Sequence, residues 1–254
     1  MSARRLAERL SRGIVFCRRL PPEFGRLPLY VTPEAGLRFW GFMSRVDPVL
    51  YRMVGETVEP SSVVWDVGAN VGLFSACAAA LSGRSGSVLA IEPDFWLAHL
   101  IHRSSQRLKS ENCNCAEIEV LCASISNSNR ISKLAVAEQA RASNYMIETI
   151  GVIEGNTARC FETTVSLSLD FLLQYFPPPD VLKIDVETHE VFVLKGAERI
   201  LREVRPKIWC EVTARNSDQV TRLLQGANYK LYGAQVNPHP LTERAWFHTL
   251  AIPN

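Results

Sequence analysis

Asp66-Val67-Gly68-Ala69-Asn70-Val71-Gly72 is the stretch of this chain whose reading decides its fold. It continues the β-branched run Val63-Val64-Trp65, the mark of a strand buried on both faces, and opens into the alanine-rich Leu73–Leu81, which reads as a helix. Gly68 lets the backbone turn tightly and approach a ligand, and Asn70 tolerates a left-handed conformation better than most residues. Gly72 permits close packing of helix on strand, and the helix start offers unpaired N–H groups to an anion. The dinucleotide fingerprint G-x-G-x-x-G is not met, because only Gly68 and Gly72 are present.

Working outward, the next strand, Val88-Leu89-Ala90-Ile91, ends on Glu92-Pro93. A carboxylate at the end of a second strand accepts hydrogen bonds from ribose hydroxyls in nucleotide sites of similar spacing. Asp66, at the first strand's end, suits a ligand bearing ammonium and sulfonium charge. S-adenosyl-L-methionine carries both the positive charge and the ribose, so it is the expected cofactor, with Asp66, Gly68, Ala69, Asn70, Gly72 and Glu92 as its contacts. The strand–helix rhythm continues through 95–109, 118–122, 181–186, 190–203, 207–212 and 217–226, and an antiparallel pair at 229–232 and 246–252 closes the sheet. Such alternation predicts an α/β, Rossmann-like fold with a mostly parallel seven-stranded sheet and helices on both faces. Residues 1–60 read as an N-terminal helical and short-strand extension and 61–254 as the domain. Within the extension, residues 1–20 read as an amphipathic helix, Leu27–Val31 and Leu37–Phe42 as strands, and Asp47-Pro48 as a helix start. Residues 128–164 are mixed and polar, an insertion or edge hairpin.

Taken together, Val64–Ser75, Ala90-Ile91-Glu92-Pro93, Val181–Glu187 and Val193-Leu194-Lys195-Gly196-Ala197 resemble the FkbM-family methyltransferases. The resemblance spans about residues 45–235. It implies the class I methyltransferase fold, S-adenosylmethionine as cofactor, and O-methylation of a sugar, glycolipid or natural-product acceptor. Two segments depart from the family's pattern. Its usual Asp-Val-Glu-Gly-x-Glu stands here as Asp185-Val186-Glu187-Thr188-His189-Glu190, and its Ala-Val-Ser-Asp as Ser124-Ile125-Ser126-Asn127. The loop after the fourth strand and the adenine side of the pocket are expected to differ accordingly.

Methyl transfer to oxygen asks the protein to position two partners, exclude water and take a proton. Asp185, Glu187 and His189 follow the fourth strand and are the candidate catalytic residues, His189 as general base for its near-neutral titration. Asp185 and Glu211, ending neighbouring strands, are also oxygen donors of the kind magnesium takes, an alternative way to activate a hydroxyl. Read without function, Asp185 is simply the partner of Lys183, and Glu187 and Glu190 suit a helix start.

Bulk properties narrow the field. The chain is 47% hydrophobic and 21% charged, an ordinary globular balance, and no apolar run approaches the length of a membrane span. Seven cysteines, an odd number set mostly in apolar segments, favour the reduced thiols of a cytoplasmic protein, and Cys113-Asn114-Cys115 is too tight for a zinc knuckle. Residues 1–20 carry six arginines against one glutamate, whereas the rest of the chain is net acidic, since the whole is only +2. That distribution argues against nucleic acid as a partner and leaves residues 1–20 as a weak membrane-surface contact. A small-molecule or glycan acceptor is the expected partner. The alternatives are a nucleic-acid methyltransferase, whose Asn/Asp-Pro-Pro-aromatic loop is missing after the fourth strand, and a non-catalytic cofactor-binding relative.

Overall fold

A computed structural model describes residues 11–138, 141–147 and 158–254. Its centre is an eight-stranded sheet. The parallel strands are β3 (Val63–Val67), β4 (Ser87–Ile91), β5 (Glu117–Leu121), β10 (Val181–Ile184) and β11 (Lys207–Glu211). β14 (His248–Pro253) runs antiparallel between β11 and β12 (Tyr229–Gly233), and the two-residue β13 (Leu241–Thr242) extends the edge. In space the order is β5-β4-β3-β10-β11-β14-β12-β13. The chain builds outward from β3 through β4 to β5, then returns to the other side of β3 with β10. That reversal opens a crevice above the carboxyl ends of β3 and β10, where ligands bind in sheets of this kind.

Apolar runs make these strands core. Val64, Trp65, Leu182, Ile184, Ile208 and Trp209 are buried almost completely, as strands covered on both faces require. One face is covered by α2 (Leu73–Ser82), α3 (Phe95–Ser110) and the N-terminal extension, whose Leu29, Phe39, Met53 and Val54 join the same cluster as Phe74 and Ala78. The other is covered by α4 (Leu169–Leu172), α5 (Glu190–Lys195) and α6 (Ser217–Gly226), through Leu172, Leu194 and Leu224. Helix α1 (Pro48–Thr57) begins as its sequence signals: Asp47 accepts the Leu50 N–H at 3.0 Å and Pro48 fills the first turn.

Several elements differ from the sequence reading. The described part of the helix expected over 1–20 is not helical: Gly13 turns the chain at φ +74°, and Phe16–Arg19 form strand β1, paired antiparallel with β2 (Pro28–Val31). The i, i+4 spacing of Ile14 is outweighed by the consecutive Ile14-Val15-Phe16, which prefer a strand. Residues 1–10, and with them half of the expected membrane-surface segment, lie outside the described residues. Leu37–Trp40, expected as a strand, is a single 3-10 turn. The expected helix over 190–203 stops at Lys195, with a π turn at Ile200–Val204. Residues expected as an insertion form a second sheet, β6 (Ser124–Ile125), β7 (Arg130–Ala137), β8 (Tyr145–Met146) and β9 (Ala158–Leu167), in the order β6-β9-β7-β8.

Candidate active site

The loop after β3 is shaped by one close approach. Gly68 has φ +76°, and a Cβ there would lie 1.9 Å from the Asp185 carbonyl oxygen. No side chain fits, so the β3 and β10 loops are brought together at the crevice. The Gly68 and Ala69 N–H groups both donate to Ile91 O at 3.0 Å, which fixes the turn onto β4. Asn70 takes φ +55°, and its side-chain amide reaches Ala35 O of the extension at 3.4 Å.

Glu92 sits buried at the pocket wall. One carboxylate oxygen accepts the Asn70 N–H at 2.8 Å and the other the Asp94 N–H at 2.9 Å. Burial, offset in part by these two N–H groups, pushes its pKa up to about 8. Each oxygen keeps a lone pair for a ligand.

The pocket itself lies above the ends of β3, β4 and β10. Gly68, Asn70 and Glu92 line it, as do Asp185, Glu187 and His189. Three other residues expected to touch the cofactor stand behind the wall. Ala69 is buried, and Gly72 packs against Ile101, whose Cγ2 would lie 3.1 Å from a Cβ at that position. Asp66 has no exposed surface: its carboxylate takes the Lys183 ammonium at 2.9 Å and the Ser75 hydroxyl at 2.6 Å. Lys183 thus occupies the place expected for a ligand ammonium group. Its Nζ also donates to Gly68 O at 2.9 Å and lies 3.4 Å from the Asp185 carboxylate. Burial works against the ammonium, but Asp66 and Asp185 outweigh it and raise its pKa.

The three catalytic candidates have unlike surroundings. Asp185 is partly exposed at the pocket edge. Glu187 stands at the rim, and desolvation followed by the Asp185 and Glu190 carboxylates pushes it up to about 7. His189 is buried at 3% exposure, stacked on Phe192, with Nε2 3.3 Å from Ser126 Oγ. Burial and Arg130 lower its pKa to about 4. It is therefore not the near-neutral base the sequence suggests. Glu190 is the tie between loops: it accepts the Thr213 N–H at 3.1 Å and a hydrogen bond from the Asn216 amide. Among the described residues no group of three or more His, Cys, Asp or Glu is set to hold a metal.

The sequence marked one part of the remaining wall, Ser124 and Ile125 of β6, by their departure from the family pattern, and offered no motif for the rest: Leu134, Tyr145 and Met146 from β7 and β8, and Arg141 and Asn144 from the turn between those strands. Asp94, the N-cap of α3, accepts hydrogen bonds from Arg141 and from the Asn144 amide, the latter at 2.7 Å. Glu34 of the extension receives Arg141 at 3.4 Å and Arg159 at 3.3 Å. A buried acid at the start of a helix, Asp94, was the available signal for a cationic partner.

The fit to an adenosine-bearing sulfonium is good by three observations. Glu92 is a buried carboxylate with lone pairs left to accept hydroxyl hydrogens, Asn70 Oδ1 is buried without a partner, and Ile91, Leu97, Ile125, Leu134 and Met146 form an apolar slot beside them.

Hexuronic acid methyltransferase AglP of Haloferax volcanii is 28% identical over 180 residues, 69% of this chain and 66% of that protein. Among solved structures, the FkbM methyltransferase of Methylobacillus flagellatus superposes with a TM-score of 0.46 at 18% identity, covering 79% of this chain and 50% of that one. A precorrin-6y C5,15-methyltransferase of Geobacter metallireducens gives 0.48 at 12% identity over 81% and 87%. The chain thus spans half of the solved FkbM protein and just under two thirds of the haloarchaeal relative. The sequence profile of the methyltransferase FkbM domain matches residues 66–231, from the acid that ends β3 into β12, and by that match the chain belongs to the FkbM methyltransferase family.

Proposed function

We propose that this chain transfers a methyl group from S-adenosylmethionine to a hydroxyl oxygen of a sugar-type acceptor. The observation that carries the reading is Glu92, a buried carboxylate at the end of β4, hydrogen-bonded to the Asn70 loop and sharing one pocket with Gly68 and Asp185. Glu92 would hold the ribose hydroxyls, and the apolar slot the purine. Asp185 and Glu187 are the carboxylates on the pocket wall that would meet positive charge. The cofactor supplies a methyl carbon activated by a sulfonium, so the chain's own contribution is position, desolvation and proton removal. Lys183 fixes Asp185 from beneath, and Glu190 fixes the loop that carries Glu187. The name of the haloarchaeal relative supports a sugar as acceptor.

The test is an assay with methyl-labelled S-adenosylmethionine and a panel of sugars, glycosides and simple polyols. The product should carry the label on oxygen, identified by mass spectrometry. Label found only on nitrogen or carbon would overturn the oxygen assignment, and binding of the cofactor with no transfer to any hydroxyl would overturn the activity.

A further inference from the structure

A second set of polar groups lies on the far side of Asp185 from the cofactor pocket. Ile184 and Cys210 are partners in the parallel β10–β11 pair, so Asp185 and Glu211 follow side by side. Glu211 does not line the pocket. It pairs across the sheet with His248 of β14, whose Nδ1 lies 3.7 Å from Glu211 Oε1. That nitrogen is buried and makes no hydrogen bond. The fully buried Trp209 indole N–H is likewise unpartnered, and its ring lies against His248 with centroids 6.2 Å apart. The extension adds Arg38 and Asp47, paired with each other at 2.7 Å.

Exposure separates this set from the charges beneath it. Lys183 and Asp66 are closed off, with side chains 4% and 0% exposed, whereas Asp185 and Glu211 are 38% and 26% exposed. An incoming hydroxyl can reach the second pair and not the first. Resting on the methyl-transfer reading above, we propose that Glu211, with His248 behind it, is the proton acceptor for the acceptor hydroxyl, and that Asp185 orients that hydroxyl between Glu211 and the cofactor pocket. The hydroxyl's O–H bond breaks and its proton passes to the Glu211 carboxylate. The oxygen's electron pair forms the bond to the methyl carbon, and the electrons of the breaking carbon–sulfur bond stay on sulfur.

The groups facing Glu211 are Asp185 and Lys183 from β10, His248 from β14, and Asp47 and Arg38 from the extension, with Arg52 close to His248. Burial, then Asp185, pushes Glu211 up to about 8, while Lys183 and Arg38 act against the rise. Burial also lowers the pKa of His248, whose Nδ1 faces Glu211 at 3.7 Å. Glu211 is a partly exposed carboxylate beside Asp185 at the strand ends, whereas His189 is closed off at 3% exposure.

The test compares wild type with Glu211→Gln and Glu211→Asp, at saturating cofactor. Glu211→Gln should lower kcat by about 10²–10⁴-fold, leave S-adenosylhomocysteine affinity little changed, and lose the acidic limb of the pH–kcat profile. Glu211→Asp keeps a carboxylate and should restore part of kcat together with the limb. A readout without turnover is an infrared titration of the S-adenosylhomocysteine complex, in which the carboxyl signal changing near pH 8 should lose the amplitude of one carboxyl group in Glu211→Gln. If the wild type transfers methyl groups and Glu211→Gln keeps both kcat and the acidic limb, this assignment is overturned and the methyl-transfer reading stands. An unchanged infrared titration in Glu211→Gln would also count against it, whether or not an acceptor is in hand.

Discussion

Thr188 holds φ +61°, a region that glycine enters freely and β-branched residues avoid. It is the only β-branched residue with positive φ among the described residues, and its Oγ1 is buried with no hydrogen bond. The turn it makes is anchored by its own carbonyl, which accepts the Asn216 amide at 2.9 Å. Strain of about 1–2 kcal/mol and an unsatisfied hydroxyl outweigh the extra chain entropy that glycine loses on folding, which is about 0.5–1 kcal/mol. Thr188→Gly should therefore stabilise the protein by about 1 kcal/mol in urea unfolding. Destabilisation would mean that the hydroxyl or the methyl group carries packing that outweighs the strain. The sequence marked this position by the family's usual glycine, and Gly68, Asn70 and Glu92, expected as cofactor contacts, do line the pocket, because turn chemistry and strand-end acids are local. It misplaced Asp66 and overrated His189 because burial and ion pairing come from distant chain: Lys183 is 117 positions from Asp66.

At the scale of elements, β10 joins the core to the chemistry. Its Lys183 points into the sheet's covered face and neutralises Asp66 on β3 while steadying Asp185 at its own end. Removing one partner of a buried pair leaves the other charge stranded, at about 3–5 kcal/mol. Lys183→Met should lower unfolding stability by that amount, and Lys183→Met with Asp66→Asn should recover much of the loss. Additive losses in the double variant would contradict the pairing. The elements legible in the sequence were the ones with strong periodicity or clear punctuation: β3, α2, β11 and α6 appear within one residue of expectation. Strand β1 was not, since its pairing with β2 is decided by contact and not by local spacing. The β7–β9 pair was legible only as one of two alternatives for 128–164, an edge hairpin, and its role at the pocket was not. Its polar, mixed residues gain meaning only when Arg141 and Asn144 meet Asp94 across the pocket.

Across the whole molecule, the carboxyl edge of the sheet concentrates groups that resist ionisation. Glu92 and Glu211 are raised to about 8 and Glu187 to about 7, chiefly by burial. The folded state therefore holds protons that the unfolded chain releases above its ordinary carboxyl pKa of 4.5, so these groups lower stability as pH rises toward 8. His189, lowered from 6.5 to about 4, acts oppositely, but only below pH 6.5. Between pH 6.5 and 8 the carboxyls act alone. Ligand-free protein should lose on the order of 1–2 kcal/mol across that window, with screening at the exposed Glu187 and half-exposed Glu211 limiting the effect. Thermal unfolding at pH 6.5 and 8 checks this, and a rise in Tm would contradict it.

The same edge is where the functional account is most exposed to test. If Glu92 is the ribose acceptor, a ligand donating hydroxyl hydrogens favours its ionised form, and affinity should rise with pH up to about 8. Isothermal calorimetry of S-adenosylhomocysteine, run from pH 6 to 8 on wild type and Glu92→Ala, measures this directly. The account predicts one site per chain, tighter binding at higher pH in the wild type, and a loss of about 1–3 kcal/mol in Glu92→Ala with the pH dependence abolished. No binding by the wild type, or equal binding by Glu92→Ala at every pH, would contradict it.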